Sequence, residues 1–305
     1  MNSLFDVSPF VAAAVKQSRP VVALETTLVT HGLPHPEGVR AAAELEAEVV
    51  KAGAVPATIG VLDGRVRVGL SVAELERLAS TPGTQKLNLS NLAARVASGQ
   101  PGSTTVAATL AVAKWAGIRV FATGGIGGVH RGAEATGDVS ADLRALSTHE
   151  VAVVCSGAKA VLDLPRTVEM LESLGVPIYG FATDEFPAFY RRSSGLPVDQ
   201  RYDDLDALAS AIEIHWRLGL GTGVVVANPI PAAHEMPIDL YETTLSRTLA
   251  EAAEQKVRGR DVTPFLLARL RELTEGMSVF SNLGLLRHNA RVAGILAGAL
   301  ARART

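Results

Sequence analysis

Seven short runs of apolar, largely β-branched residues punctuate the chain: VVALET (21–26), ATIGVL (57–62), VRVGL (66–70), RVFATG (119–124), VAVVC (151–155), PIYGFA (177–182) and GVVVAN (223–228). Most lack the apolar–polar alternation of a half-exposed strand. Near-continuous apolar runs of this length predict strands buried on both faces. Between most of them, apolar positions recur at helical spacing. PEGVRAAAELEAEVVKAG opens with a proline and stops at a glycine, the asymmetry expected of helix ends. GSTTVAATLAVAKWAG, LPRTVEMLESLG and DDLDALASAIEIHWRLG also end at glycine. Strand–helix alternation predicts an α/β fold: a largely parallel central sheet with helices on both faces (α/β/α). IGVLDGRVRVGL departs from it, because Asp63-Gly64 between two apolar runs predicts one antiparallel hairpin. From about residue 237 the pattern is helical throughout. The final stretch, NLGLLRHNARVAGILAGALARART, reads either as a capping helix or as an oligomer contact. No long repeat, low-complexity tract or flexible linker interrupts the chain, so one domain over residues 1–305 with a helical C-terminal part is expected.

Composition narrows the partners. A net charge of −2 leaves no broad basic field for nucleic acid or anionic lipid, though a local pocket for a small anion remains open. The single cysteine, Cys155, rules out an intrachain disulfide and argues against a Cys-based metal cluster. The N-terminus has no basic segment and carries Asp6 before its apolar part, unlike a signal peptide. No apolar run approaches the roughly 20 residues of a spanning helix. A soluble, cytoplasmic protein is expected.

Ligands of open α/β sheets gather beyond the carboxyl ends of the strands. Five polar or glycine-rich stretches sit there. In ALETTLVTHGLPHPEG, Glu25 ends a strand; it reads as a backbone cap or as a half-buried carboxyl with a raised pKa, usable as an acid. In QKLNLSNLAARVASG, Lys86 precedes a helical run and is either solvated or a phosphate contact. Gly102, Ser103, Thr104 and Thr105 head a helix, where hydroxyls cap or free N–H groups bind an anion. GGIGG at 124–128 follows a strand, but its third glycine is misplaced for a dinucleotide fingerprint and no helix follows directly; a nicotinamide or flavin cofactor is not expected. The loop beyond offers His130, Arg131, Asp138, Ser140 and Asp142. If a helix starts near Asp138, the two aspartates four apart share a face and suit a hard, mostly hydrated ion such as Mg²⁺ or Mn²⁺; otherwise they are an N-cap and a first-turn dipole partner.

The fifth stretch is VVCSGAKAVLDL (153–164), with Lys159 just past a buried strand. The chain uses 23 Arg and only 6 Lys, and Lys16, Lys51, Lys114 and Lys256 lie on amphipathic helical stretches. A lysine in a small apolar turn either snorkels to solvent or serves as an amine nucleophile. Its placement in an arginine-preferring chain favours the nucleophile.

ALETTLVTHGLPHPEG, GSTTVAATL, FATGGIGGVHRGAE, DVSADL, VVCSGAKAVLDL, ATDEFPAFYRRSSG and VANPIP, in this order, resemble the pseudouridine-5'-phosphate glycosidase family, also known from indigoidine gene clusters. The resemblance runs from about Val21 to the C-terminal helix. It implies reversible cleavage of pseudouridine 5'-phosphate to uracil and ribose 5-phosphate. It implies Lys159 as the nucleophile, Glu25 as the acid/base and Lys86 as a substrate contact, with a backbone contact at Val106 beside Thr105. It further implies Asp138 as a manganese ligand, with Ser140, Ala141 and Asp142 lining the substrate, and polar active-site residues at His130 and Asn282. A homotrimer is implied as well.

The chemistry asks for these residue types. An ordinary glycosidase expels an oxygen or nitrogen leaving group, whereas pseudouridine is joined through carbon and needs another electron sink. A lysine supplies one, because it serves first as nucleophile and then as imine. Two rivals use the same residues: another Schiff-base enzyme such as a sugar-phosphate aldolase, and a non-catalytic sugar-phosphate sensor. Product analysis separates the first, and borohydride trapping the second.

Overall fold

The computed structural model describes residues 4–255, 257 and 262–303, so Lys256 lies outside the described residues. Eleven strands form among the described residues: β1 (Phe5–Val7), β2 (Val21–Leu24), β3 (Val55–Leu62), β4 (Arg65–Val68), β5 (Gln85–Leu87), β6 (Gly102–Thr104), β7 (Val120–Ala122), β8 (Ala152–Cys155), β9 (Ile178–Phe181), β10 (Gln200–Tyr202) and β11 (Val224–Ala227). They join one sheet in the order β1-β4-β3-β2-β7-β8-β11-β9-β10, with β6 branching from β3 and β5 from β6. From β3 through β10 every neighbouring pair on that path is parallel. The β3–β4 pair is antiparallel, and its turn places Asp63 and Gly64 both at positive φ, as the Asp-Gly step predicts. A second antiparallel pair, β3–β6, is not legible in the sequence.

All seven apolar runs become strands. Every residue of β2, β8 and β11 is buried, so both faces of the sheet centre are covered. One layer comprises the helices Glu37–Lys51, Leu205–Arg217 and Met277–Ala303; the last packs on both others and on β2, β7 and β8. The helix Val106–Trp115 packs on β2 and β7 together with the short helix Ala141–Leu146. Met277–Ala303 is therefore a core helix of this fold, with Leu285, Leu286, Ala290, Ala293 and Leu296 buried. Among the described residues no helix is long and apolar enough to cross a membrane.

Two helix starts differ from expectation. Gly102–Thr104 pairs as a strand, and the helix begins only at Val106, capped by Thr105 Oγ1 accepting from the Ala108 amide. Asp138 and Asp142 do not share a helix face. Gly137, at φ 67°, closes the short turn of helix Ala133–Thr136, and Ser140 then caps a new helix at Ala141.

Candidate active site

The carboxyl ends of β2, β5, β7 and β8 converge on one cavity of about 390 Å³. Glu25, the first residue past β2, lines it together with Thr27, Lys86, Thr105, His130, Asp138, Ser140, Ala141, Asp142 and Lys159. A smaller, more apolar pocket of about 70 Å³ adjoins it, walled by Leu28, Phe189, Leu267 and Leu286 and carrying His31 and Asn282. Glu25, Thr27, Lys86 and Lys159 line both, so the amine and the carboxyl stand where a polar and an apolar compartment meet.

Local sequence explains each placement. The residues after Glu25 are pinned by hydroxyls: Thr26 Oγ1 donates to Ile59 O at 2.7 Å and Thr27 Oγ1 to Thr104 O at 2.7 Å. A π-helical turn, Leu28–Gly32, follows and carries His31; such turns recur at functional sites. Lys86 lies on β5, opposite Ser103 of β6, rather than at a helix start. Lys159 sits in an extension of the β7–β8 pairing: Ile126 bridges Ala158, and the Lys159 amide donates to Ile126 O at 3.0 Å. Gly157 makes that turn with φ +81°, and a Cβ there would stand 1.8 Å from Pro187 O. The sequence between the strand and the lysine therefore has to be small.

The GGIGG stretch lets the backbone approach Ser140 and Asp142 closely. The Gly127 amide donates to Asp142 Oδ2 at 2.7 Å, and a Cβ on Gly127 would meet Ser140 Oγ at 2.1 Å. Asp142, only 5% exposed, takes the Ala107 amide on its other oxygen at 2.9 Å. Ala107 and Ala108 thus have partners, and among the described residues the Val106 amide has none. Val106 is itself buried and Thr105, not Val106, lines the cavity. Beyond the loop, residues 130–138 double back: the His130 amide donates to Asp138 O at 3.0 Å, and His130 Nδ1 lies 4.0 Å from Asp138 Oδ2.

Electrostatics are strongly coupled. Withdrawal from water pushes the Glu25 pKa above its ordinary value; the Lys159 charge and the hydrogen bond from Thr123 Oγ1 (2.5 Å) partly offset this. The Lys86 pKa is lowered, first by burial and then by the nearby Lys159 charge. Burial also lowers His130, against the pull of Asp138, and lowers His31, with Lys86 adding to the effect. Asn282 lines the apolar pocket rather than the polar cavity. Thr123 and His31 were not singled out from sequence. The position of Thr123 directly after a buried strand, the same rule that finds Glu25, is the signal that could have found it.

Among the described residues no group of three or more His, Cys, Asp or Glu is placed to hold a metal. A divalent ion here would take one protein carboxylate, Asp138, 33% exposed, and complete its shell with water. That donor set fits a hard, hydrated ion and no closed structural site.

The family model described as indigoidine synthase A like protein matches residues 10–299. A pseudouridine-5'-phosphate glycosidase from Caldanaerobacter subterraneus subsp. tengcongensis is 48% identical, with 97% of each chain covered. One from Solibacter usitatus is 50% identical over 95% of this chain and 97% of its own. Among solved structures, the prealnumycin C-glycosynthase AlnA in complex with ribulose 5-phosphate matches with a TM-score of 0.93 at 39% identity, covering 100% of this chain and 99% of that one. The two glycosidases and the family model span nearly the whole chain: it belongs to the indigoidine synthase A-like family of pseudouridine-5'-phosphate glycosidases.

Proposed function

We propose that the chain catalyses reversible cleavage of the C–C glycosidic bond of pseudouridine 5'-phosphate, giving uracil and ribose 5-phosphate through an imine on Lys159. The observation that carries this reading is the position of Lys159 and Glu25 at the junction of the two compartments. The bond to be broken joins a polar ribose phosphate to a flat base, so its carbons would lie at that junction. The names of the glycosidase relatives and the sugar phosphate bound by the structural neighbour support the same substrate class.

Burial raises the Glu25 pKa above that of an ordinary glutamate, which favours its protonated form as a proton donor. Glu25 delivers it to the ring oxygen as the C1'–O bond breaks; uracil N1 loses its proton, and C1' becomes conjugated with the base. The Lys159 amine adds to C1', and N1 regains a proton. Protonation at uracil C5 then lets the C1'–C5 electrons return to the base as the lysine lone pair forms the iminium. Water adds, ribose 5-phosphate leaves, and the amine is restored. Lys86, which lines both compartments beside Lys159, holds the phosphate from the polar cavity, and the phosphate's remote binding energy orients C1'. Mn²⁺ held by Asp138 would supply positive charge beside the sugar phosphate. A homotrimeric assembly belongs to the same proposal.

The deciding experiment incubates the protein with Mn²⁺ and ribose 5-phosphate, adds borohydride, and maps the adduct. A ribose-phosphate adduct on Lys159, and formation of pseudouridine 5'-phosphate when uracil replaces borohydride, is the expected result. Turnover with no trappable adduct would sink the imine route.

A further inference from the structure

Four neighbouring strands, β2, β7, β8 and β11, end within one residue of the same level in the sheet, and the first residue past each is polar: Glu25, Thr123, Ser156 and Asn228. Three of the four meet a single side chain from the C-terminal helix, Asn289. Its Nδ2 donates to Thr123 O at 2.8 Å and to Ser156 Oγ at 3.2 Å, while its Oδ1 accepts from Asn228 Nδ2 at 2.8 Å. Ser156 Oγ in turn donates to Asn228 O at 2.9 Å. The Thr123 carbonyl only accepts, which fixes which end of the amide faces it. Asn289 and Ser156 are fully buried and Asn228 is 1% exposed.

This asparagine interrupts a run of buried apolar positions, Leu285, Leu286, Ala290, Ala293 and Leu296. Burying an amide there is unfavourable unless every polar atom is satisfied, and a leucine would serve packing alone. Its partners lead to the site in both directions. The Thr123 hydroxyl holds the Glu25 carboxyl. Ser156 begins the turn that ends at Lys159, three residues on, and its carbonyl also anchors Phe189, whose amide donates to it at 3.0 Å.

We propose that Asn289 is a positioning residue: by locking the first residues past β7, β8 and β11 to one another, it holds the Glu25 carboxyl and the Lys159 turn in mutual register. This rests on the reading of Lys159 and Glu25 as catalytic. Asn289 acts through Thr123, Ser156 and Asn228, whereas Lys86 on β5 and Asp138 in its loop are held by other contacts.

The test compares Asn289→Ala and Ser156→Ala with Lys159→Ala and Glu25→Gln, measuring kcat and KM for pseudouridine 5'-phosphate and the rate of borohydride trapping of ribose 5-phosphate. Asn289→Ala is expected to lower kcat and the trapping rate by roughly 10–100-fold with KM within about threefold, the signature of misalignment rather than lost binding. Ser156→Ala, which keeps the Asn289–Thr123 bond, is expected to lower kcat by about 3–10-fold. A folded Asn289→Ala protein with kcat within about twofold of the parent, or with KM rising as far as kcat falls, overturns the proposal. Should Asn289→Ala fail to fold, Ser156→Ala and Thr123→Val decide, and unchanged kcat in both overturns it. If Lys159→Ala and Glu25→Gln retain turnover, the catalytic reading itself fails; if they lose it while the Asn289 variant does not, only the positioning role fails.

Discussion

Asp142→Asn tests whether the buried aspartate clamps the site or merely touches the ligand. Each carboxylate oxygen takes one backbone N–H, Gly127 at 2.7 Å and Ala107 at 2.9 Å, and so ties the GGIGG loop to the first turn of the Val106–Trp115 helix. An asparagine keeps one acceptor and turns an NH₂ against the other donor. One charge-assisted bond is lost, about 1.5–3 kcal/mol, and a buried N–H is left unsatisfied, about 1–3 kcal/mol more. Loss of a negative charge at a helix N-terminus adds about 0.3–2 kcal/mol. Relief of a desolvated carboxylate offsets part of this, leaving a net destabilisation of about 2–4 kcal/mol. For a chain of this size that lowers Tm by roughly 3–6 °C, readable by thermal unfolding of parent and variant without ligand. Gly127→Ala should fall in the same range, because its Cβ would stand 2.7 Å from Asp142 Oδ2. An Asp142→Asn protein that melts within about 2 °C of the parent yet loses turnover would refute the clamp and leave Asp142 as a ligand contact.

Lys86→Ala removes the second lysine of the junction, proposed to contact the phosphate; KM for pseudouridine 5'-phosphate should rise about 10–100-fold in steady-state assays, and an unchanged KM would exclude it from the phosphate site. If Asp138 holds the proposed Mn²⁺, Asp138→Asn should raise the Mn²⁺ concentration for half-maximal turnover by roughly tenfold or more in chelator-stripped protein, because the ion would lose its one charged protein ligand; an unaltered metal titration would exclude Asp138 as the ligand. Glu25→Gln should lower kcat by about 10²-fold or more and also change stability with a defined sign. The folded pKa of Glu25 is raised, so its contribution is complete below the unfolded value and is lost as pH rises through the folded one. The variant should therefore gain stability over the parent at about pH 8 and not at about pH 4; the opposite order in denaturant titrations would contradict the sign of the shift.

Apolar runs and glycine stops were enough to locate seven strands and the flanking helices, because buried parallel strands and helix ends leave strong local signals. The strands that escaped, β1, β5, β6 and β10, have three residues each, too few for a period to register, and QKL, GST and QRY are not apolar. The two-aspartate face failed for a local reason: Gly137 at positive φ and the Ser140 cap split the segment between Asp138 and Asp142. Glu25 and Lys159 were legible because strand-end placement and lysine scarcity are properties of the sequence. Asn289 was not, since in RHNARVAGIL it looks like any polar position of an amphipathic helix. Only its burial against three strand ends distinguishes it.

The coupling among the charged groups limits what a single substitution can say. Lys159 lowers the pKa of Glu25 by attraction and that of Lys86 by repulsion, while Glu25 and Asp142 draw Lys86 back up. Removing the Lys159 amine therefore deletes the proposed nucleophile and at the same time lets Glu25 hold its proton more tightly and Lys86 keep its charge to higher pH. A Lys159→Ala rate compared with the parent at one pH mixes all three effects, and costs measured for Lys159, Glu25 and Lys86 separately should not add. The separable quantity is the pH dependence. In Lys159→Ala the ionisation of Glu25 should move further upward, because burial then acts with less opposition, whereas in Lys86→Ala it should move the same way by less, as Lys86 is the weaker of the two attractions on that carboxyl. Equal movement in both variants would mean that the carboxyl does not sit closer to the nucleophile than to the phosphate-side lysine, and the pairing of acid and amine at the junction would lose its electrostatic basis.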